Sequence, residues 1–522
     1  MTISEDFWKS YKLTNQELED IYNYLLETET PLDKFEITKF IISRAISRKE
    51  EERIASQTAS GRIYIPQDQY SSGDRILFPS RANATGTVKA IRNGYNPDYP
   101  DLQVIEVAFE NEKKASFAAN LKEHKLNNPT PAVKEKLLDG EFVFDQFGIQ
   151  LADEIANSCA KSPDLVCIAR HYFPRALLFD ISIGHLNLCE AVLEMAGGGP
   201  LTTAELIDQI ELPTSNNDNL TEFSLNYALE KDGRFDEVGP SGVTLWFLKR
   251  LEPIEVQKPP FTLTFSGSLP DSIDEIEGLS ELNQIVFDEL EEDEPLAEPL
   301  DEITISLSYP HWRAGTLPLN NRLKALFPTA YETPRVKFDF RDGNNNEKFS
   351  GWVVRPNKYV YGLREWYEKQ GVIPGSNVTI QRSKDPGEIV VKTHKNKNSR
   401  DWIKTVLVGT DGGIVFALLK QVISCTFDDR MAIMIPDVEA IDRIWTNASR
   451  AKQPVEKVVH STMREMSKLN TQNQIHAQEL YAAVNVIRRV STSQLLSILY
   501  KEPWSKHLGD LYFKLSEVSP DE

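Results

Sequence analysis

Two short stretches of the chain interleave cations with aromatic rings. SYPHWRAGT (308–316) carries His311, Trp312 and Arg313, and WVVRPNKY (352–359) carries Trp352, Arg355, Asn357, Lys358 and Tyr359. An arginine can fork onto guanine O6 and N7, an asparagine amide can pair with adenine N6 and N7, and a lysine can hold a phosphate. Pro356 marks the second stretch as a loop, and the first is read as a loop too. The competing reading puts Trp352 and Tyr359 in a core and leaves the cations as ordinary solvated surface. Alternation through Val353 and Val354 favours an inward Trp352, and Trp366 reads as core.

Searches for catalytic patterns fail. No GxxxxGK[ST] phosphate loop occurs, and the glycine-rich pieces at Gly197–Gly199 and Gly409–Gly413 lack the following lysine and helix. GxSxG is absent. Asp339-Phe340-Arg341 and Glu347-Lys348 do not supply the acid-then-(D/E)xK order of a metal-dependent nuclease. The four cysteines (Cys159, Cys167, Cys189, Cys425) form no CxxC pair, and the eight histidines show no HExxH or HxH spacing. The reading is therefore a non-enzyme with no metal and no cofactor.

Charge is unevenly placed. The 522 residues carry a formal net charge of −20, which on its face disfavours a polyanionic partner. Residues 256–302, however, hold one lysine against fourteen Asp and Glu, while 303–404 hold eighteen Lys and Arg against nine acids. The acidic stretch reads as a solvated linker, with Ile273, Ile276 and Leu279 leaving room for a short transient helix; it is too loose to hold paired carboxylates for acid–base work and is placed to compete for the neighbouring basic face. No apolar run reaches the roughly 18 residues needed to span a bilayer. The N-terminus lacks the pattern of a secretory signal, so a cytosolic protein is expected.

The elements that must carry these residues follow from periodicity. Thr14 and Glu17 form a capping box for a helix with Leu18, Ile21, Tyr22 and Leu25 on one face; a second helix carries Phe35, Ile37, Phe40 and Ile41. Short alternating runs over 62–127 predict a small antiparallel barrel. Residues 145–182 read as helical. Over 184–252 three helices, the second opened by a Thr202/Glu205 capping box, precede a hairpin. The stretch 303–404 reads as strands ITISLSY, RVKFDFRD, FSGWVV, YVYG, NVTIQR and GEIVVKT with helices at NNRLKALF and LREWYEKQ. Further strands follow to 437. The C-terminus reads helix, Ser491/Ser493 turn, helix and strand pair, with eleven Lys and Arg against six acids over 440–514.

Three resemblances attach to these segments. YSSGDRILFP…ATGTVKAI resembles the opening of SH3-like barrels of the KOW, Tudor and CarD type. GPLTTAELIDQI…LNYALEKDGRFDEVGPSGVTLWFL resembles the HARE-HTH winged helix, which includes the folded domain of the bacterial RNA polymerase delta subunit. The departure is its third helix, where Glu222, Glu230 and Asp232 carry the wrong sign for phosphate. VKFDFRDGNNNEKFSGWVVRPNKYVYGLREWYEKQGVIPGSNVTIQR resembles the B3 DNA-binding pseudo-barrel, although Gly375-Ser376 and Gly362-Leu363 stand where that family has Gly-Asp and Gly-Trp. By position, the two arms that this fold inserts into the major groove correspond to 308–316 and 352–359.

The resulting expectation is a multidomain α+β protein in which small SH3-like and B3-like barrels alternate with winged-helix domains. Its parts are an N-terminal helical domain (1–61), a barrel (62–127), a helical connector (128–183), a winged helix (184–252), an acidic linker (253–302), a B3-like barrel (303–437) and a C-terminal helical or winged-helix domain (438–522). The resemblances imply a cytoplasmic, nucleoid-associated bacterial protein that reads double-stranded DNA without catalysis, through His311, Trp312, Arg313, Arg355, Asn357, Lys358 and Tyr359. No membrane partner is expected. The alternatives are an adaptor that grips RNA polymerase through 62–127 and 184–252, or the recognition component of a restriction or defence system.

Overall fold

The structure, a computed structural model, describes residues 5–516 apart from 61, 79–80, 82–83, 97–98, 110–113, 123–126, 128–138, 169, 213–216, 266, 268–275, 292–299, 331–332, 386, 410–411 and 452. It is a mixed α/β chain with several separate sheets. It divides into two units, Met1–Asp180 with Thr214–Ser224, and Ile181–Pro213 with Leu225–Glu522.

In the first unit the helices Asn15–Thr28 and Lys34–Ser60 form where periodicity puts them. The Thr14 hydroxyl accepts from the Glu17 N–H while the Glu17 carboxylate accepts from the Thr14 N–H. Ile21, Leu25, Ile37 and Ile41 are buried together with Ile155 and Cys159 of a third helix, Gly140–Cys159. The expected helical connector is thus largely part of the N-terminal core (its residues 128–138 lie outside the described ones). It is also not helical throughout. Leu165–Ile168 and His171–Pro174 make a hairpin whose second strand also pairs with Leu32–Asp33 and so lies central in its sheet. Between Pro163 and Pro174 the chain carries Val166, Ile168, Tyr172 and Phe173, residues that fit a pleated surface better than a helix. Residues 62–119 form a five-stranded sheet in chain order, its first pair parallel and the rest antiparallel. Asn120 N–H donates to Asp68 O and Leu121 N–H to Pro66 O, which curls the last strand back toward the first.

One element order occurs twice along the chain, the third helix of its first copy being divided between the two units after Ser224. Helices Ile183–Met195, Thr203–Ile210 and Asp218–Lys231 alternate with strands Leu201–Thr202, Phe235–Glu237 and Leu245–Leu248, the last strand lying central in its sheet. Helices Val455–Ser467, Ala477–Ile487 and Thr492–Lys501, with strands Gln474–His476, Ser505–Gly509 and Tyr512–Leu515, repeat this order and strand arrangement. The Thr202/Glu205 capping box and the Ser491 cap, whose hydroxyl accepts from Gln494 N–H, open helices in each.

Between the repeats lies a seven-stranded sheet. Its strand order is Glu302–Ser306, Asn377–Arg382, Glu388–Lys392, Arg335–Asp342, Lys348–Val354, Tyr359–Tyr361 and Thr316–Pro318. All neighbours are antiparallel except the parallel pair Arg335–Asp342 with Glu388–Lys392. Every strand read from the sequence over 302–392 is present. The following strands do not extend this sheet. Lys395–Val408 and Ile414–Cys425 form a long two-stranded hairpin, joined only by Ile433–Met434.

The first repeat's hairpin packs on the seven-stranded sheet. Phe247 meets Trp352 edge-on at 5.1 Å, and Lys337 N–H donates to Val238 O. Arg335 bridges Asp236 at 2.6 Å and buried Glu252 at 3.5 Å.

The acidic stretch corrects the linker expectation. Residues 268–275 and 292–299 lie outside the described ones, but Leu279–Val286 is a helix whose Leu279, Leu282 and Val286 are buried in the C-terminal core. Asp288, Glu289 and Glu291 follow, all buried. Arg489 donates to Asp288 Oδ1 at 2.5 Å and lies 2.9 Å from Glu289 Oε1; Tyr481 OH donates to Asp288 Oδ2 at 2.8 Å. Ile276, Leu279, Leu282 and Val286 form an apolar helical stripe whose signal the carboxylate count obscures beyond Leu279.

Two outcomes follow from this packing. Replacing Arg489 with Met leaves two buried carboxylates without their cation and should destabilise the second unit by about 3–5 kcal/mol in denaturant unfolding. Burial, then Asp236 beside it, pushes the Glu252 carboxyl from its ordinary 4.5 up to about 8. A raised carboxyl contributes its full stability below the unfolded pKa and loses it as pH rises through the folded one. Glu252→Gln should therefore melt with wild type near pH 4.5 and a few degrees above it by pH 9, at roughly 2–4 °C per kcal/mol recovered.

Candidate nucleic-acid interface

The first expected arm is not a loop. Tyr309–Ala314 is a helix, preceded by Ser308, carrying Pro310 in its first turn and ended by Gly315 at φ +70°. A Cβ on Gly315 would sit 2.8 Å from Arg364 N, so both the turn and the close approach need glycine. The Ser, Pro and Gly signals for this helix were present in the sequence. Its side chains are committed inward. His311 is 2% exposed, with Nε2 2.8 Å from Glu289 Oε2 and Nδ1 2.9 Å from Thr316 Oγ1. Trp312 Nε1 donates to Val372 O at 2.7 Å. Arg313 holds Asp442 with two bonds, Nη2 to Oδ2 at 2.6 Å and Nε to Oδ1 at 3.1 Å. Burial would raise the Glu289 carboxyl, yet Arg489 and His311 beside it hold it well below the ordinary range. Burial pushes the Asp288 carboxyl up, against the pull of the same arginine. These groups tie the acidic stretch to the sheet and to the second repeat, and none of His311, Trp312 and Arg313 is placed to reach a groove.

The second arm is exposed in part. Trp352 and Tyr359 are buried, the latter with its hydroxyl donating to Glu255 O at 2.5 Å. They hold the ends of a tight turn in which Pro356, Asn357 and Lys358 are exposed and Lys358 takes φ +53°. Arg355 is half-buried, its Nη1 donating to Thr333 O at 2.7 Å. Arg355 and Lys358 line a cleft of about 160 Å³ together with Lys324, Glu289 and Glu291. The acidic stretch therefore does meet this basic arm, as a fixed wall and not as a loose competitor.

The long hairpin was not singled out as a binding element, and it presents the clearest basic surface. Its strands have 14 and 12 residues, so the ribbon is on the order of 40 Å long. From Lys392 to Arg400 the chain carries Lys392, Lys395, Lys397 and Arg400, with no acid between Glu388 and Asp401. Register places Arg400 opposite Val422, Trp402 opposite Lys420 and Lys404 opposite Leu418, all on one face. Val406 and Phe416 anchor that face in the C-terminal core, while Arg400, Lys420 and Trp402 stand in solvent. Trp402 is 63% exposed, with Lys420 Nζ 5.3 Å from its ring centroid. The available signal was an acid-free basic run leading into a strand with a tryptophan.

No family model, curated protein or solved structure matches this chain. Among the described residues no helix is long and apolar enough to cross a membrane, and no three His, Cys, Asp or Glu side chains group as a metal site. What the fold defines is a mixed α/β protein of several sheets, one of them a long hairpin with exposed cations on one face.

Arg313 should behave as a structural residue. Arg313→Ala and Asp442→Ala are each expected to cost about 1–3 kcal/mol in unfolding, and the double variant little more than either, as measured by a double-mutant cycle.

Proposed function

We propose that the chain is a non-catalytic double-stranded DNA-binding protein whose contacting element is the ribbon 395–425, with Asn357 and Lys358 as a secondary contact. The observation that carries this reading is the acid-free cationic run Lys392–Arg400 leading into a two-stranded ribbon that projects Arg400 and Lys420 into solvent. A two-stranded β-ribbon fits the roughly 12 Å major groove, and its cations would replace counterions along the phosphates. The repeated helix, strand, helix, helix, hairpin order is what winged-helix domains require, and seven strands with two short helices suit a B3-like barrel. On this reading those modules serve as scaffold. The first repeat's hairpin is packed on the sheet, and the second repeat's third helix buries Leu495, Leu496, Ile498 and Leu499.

An adaptor role has one observation in its favour. Leu188 and Met195 lie seven apart on one helix face and are both exposed, Met195 at 81%, which suits a protein partner better than a phosphate backbone.

Titrating the full chain against a labelled duplex by fluorescence anisotropy at increasing salt tests the DNA reading. Affinity should fall steeply with salt, and Arg400→Ala and Lys420→Ala should each reduce the log–log slope by about one. Absence of duplex binding at 50 mM salt, with polymerase captured instead, would favour the adaptor.

A further inference from the structure

The cationic face of the ribbon borders a cleft of about 420 Å³ between the hairpin and the second repeat. Trp402 and Leu418 form its hairpin side, and Met466 and Leu469 its other apolar wall. At its floor Lys404 is buried, with Nζ donating to Asp429 O and Arg430 O at 2.8 Å each and to Glu479 Oε1 at 3.2 Å. Glu479 keeps about a third of its side chain accessible (31%), and Gln474 stands at the rim. A large aromatic ring that is mostly exposed, at the mouth of a cleft floored by a fixed ion pair, is a poor packing solution. It is a good stacking platform.

Resting on the DNA reading above, we propose that this cleft receives one unpaired base from the nucleic acid held on the ribbon. Trp402 would stack on the base, as aromatic side chains do on splayed-out bases of any sequence. Arg400 and Lys420, on the same ribbon face, would hold the flanking phosphates. The acceptor at the floor sets the edge preference. Lys404 spends its protons on two carbonyls and on Glu479, which leaves the carboxylate to accept from an amino-bearing edge, so cytosine is favoured over thymine. The ligand is thus a duplex with an extra or mispaired base.

The test uses the full chain and three labelled duplexes of one sequence: fully paired, with a single bulged cytosine, and with a bulged thymine. A fourth carries 2-aminopurine at the bulge, whose fluorescence falls when it stacks. The bulged-cytosine duplex should bind about tenfold more tightly than the paired one, the thymine bulge less so, and 2-aminopurine should be quenched. Trp402 is exposed, so Trp402→Ala should fold normally, bring the bulged-to-paired ratio to about one and abolish the quenching. Glu479→Gln should narrow the gap between the two bulges. Equal affinity for paired and bulged duplexes without quenching overturns the cleft and leaves the DNA reading intact. A preference that survives Trp402→Ala also overturns it. Salt-sensitive binding to none of the duplexes overturns both.

Discussion

Removing a carboxylate or a guanidinium from water costs several kcal/mol per ion, and mutual attraction repays that only with close geometry and every remaining donor and acceptor satisfied. Arg489 comes near to meeting both conditions. It reaches Asp288 and Glu289, and its Nη1 also donates to Asn485 Oδ1 at 3.0 Å and to Val490 O at 2.9 Å. The outer oxygen of Asp288 takes the Tyr481 hydroxyl and that of Glu289 takes the His311 ring. Such a cluster adds little net stability, but any misplacement leaves an ion stranded in the core. It therefore acts mainly as a specifier of position. The partners come from residues 288–289, 311 and 481–489, so one network fixes the acidic stretch, the helix before the sheet and the second repeat against each other.

That network explains which parts of the fold could be read in advance. Both capping boxes, six of the seven strands of the sheet (all but the three-residue Thr316–Pro318) and the helices and closing hairpin of the first repeat follow from local rules of period and capping. These rules act over a few residues and survive in any context. The acidic stretch fails for a different reason. Its charge density points to solvent, and only a distant arginine, 201 residues away, makes burial of Asp288 tolerable. No window of sequence contains that partner. His311 and Arg313 were misread in the same way. Each has the chemistry of a base-reading side chain, and each is spent on a carboxylate remote in the chain, Glu289 or Asp442. The ribbon cations are not marked by any local rule, because a strand pattern with lysines reads equally as an ordinary solvated edge.

The placement of charge also bears on how a protein of net charge −20 can meet a polyanion. Several acids lie inside, matched by Arg489, or in surface pairs such as Glu388 with Arg341 and Lys348. Glu289 and Glu291 wall the cleft of Arg355 and Lys358, which weakens the local potential at the second arm. The ribbon run carries no acid between Glu388 and Asp401. Over distances beyond the Debye length of about 8 Å the remaining acids are largely screened, so a local cationic strip can act against the overall charge.

The same ribbon carries a cost that needs an explanation. Ile414–Cys425 is the outer strand of its sheet, and it exposes Val415, Leu418, Leu419 and Val422. A long edge strand with apolar side chains is a template for pairing with another chain, and only Lys420 and Gln421 interrupt it. Under the proposed function the two kinds of residue divide the task along the ribbon. Arg400 and Lys420 lie toward its base and suit phosphates, which position a protein without reading sequence. Leu407 and Val415 pair near the turn on the opposite face of the ribbon, where apolar contact with a thymine methyl would carry sequence information. Burying those side chains in the scaffold would remove the aggregation hazard and, with it, the part of the ribbon able to discriminate between bases.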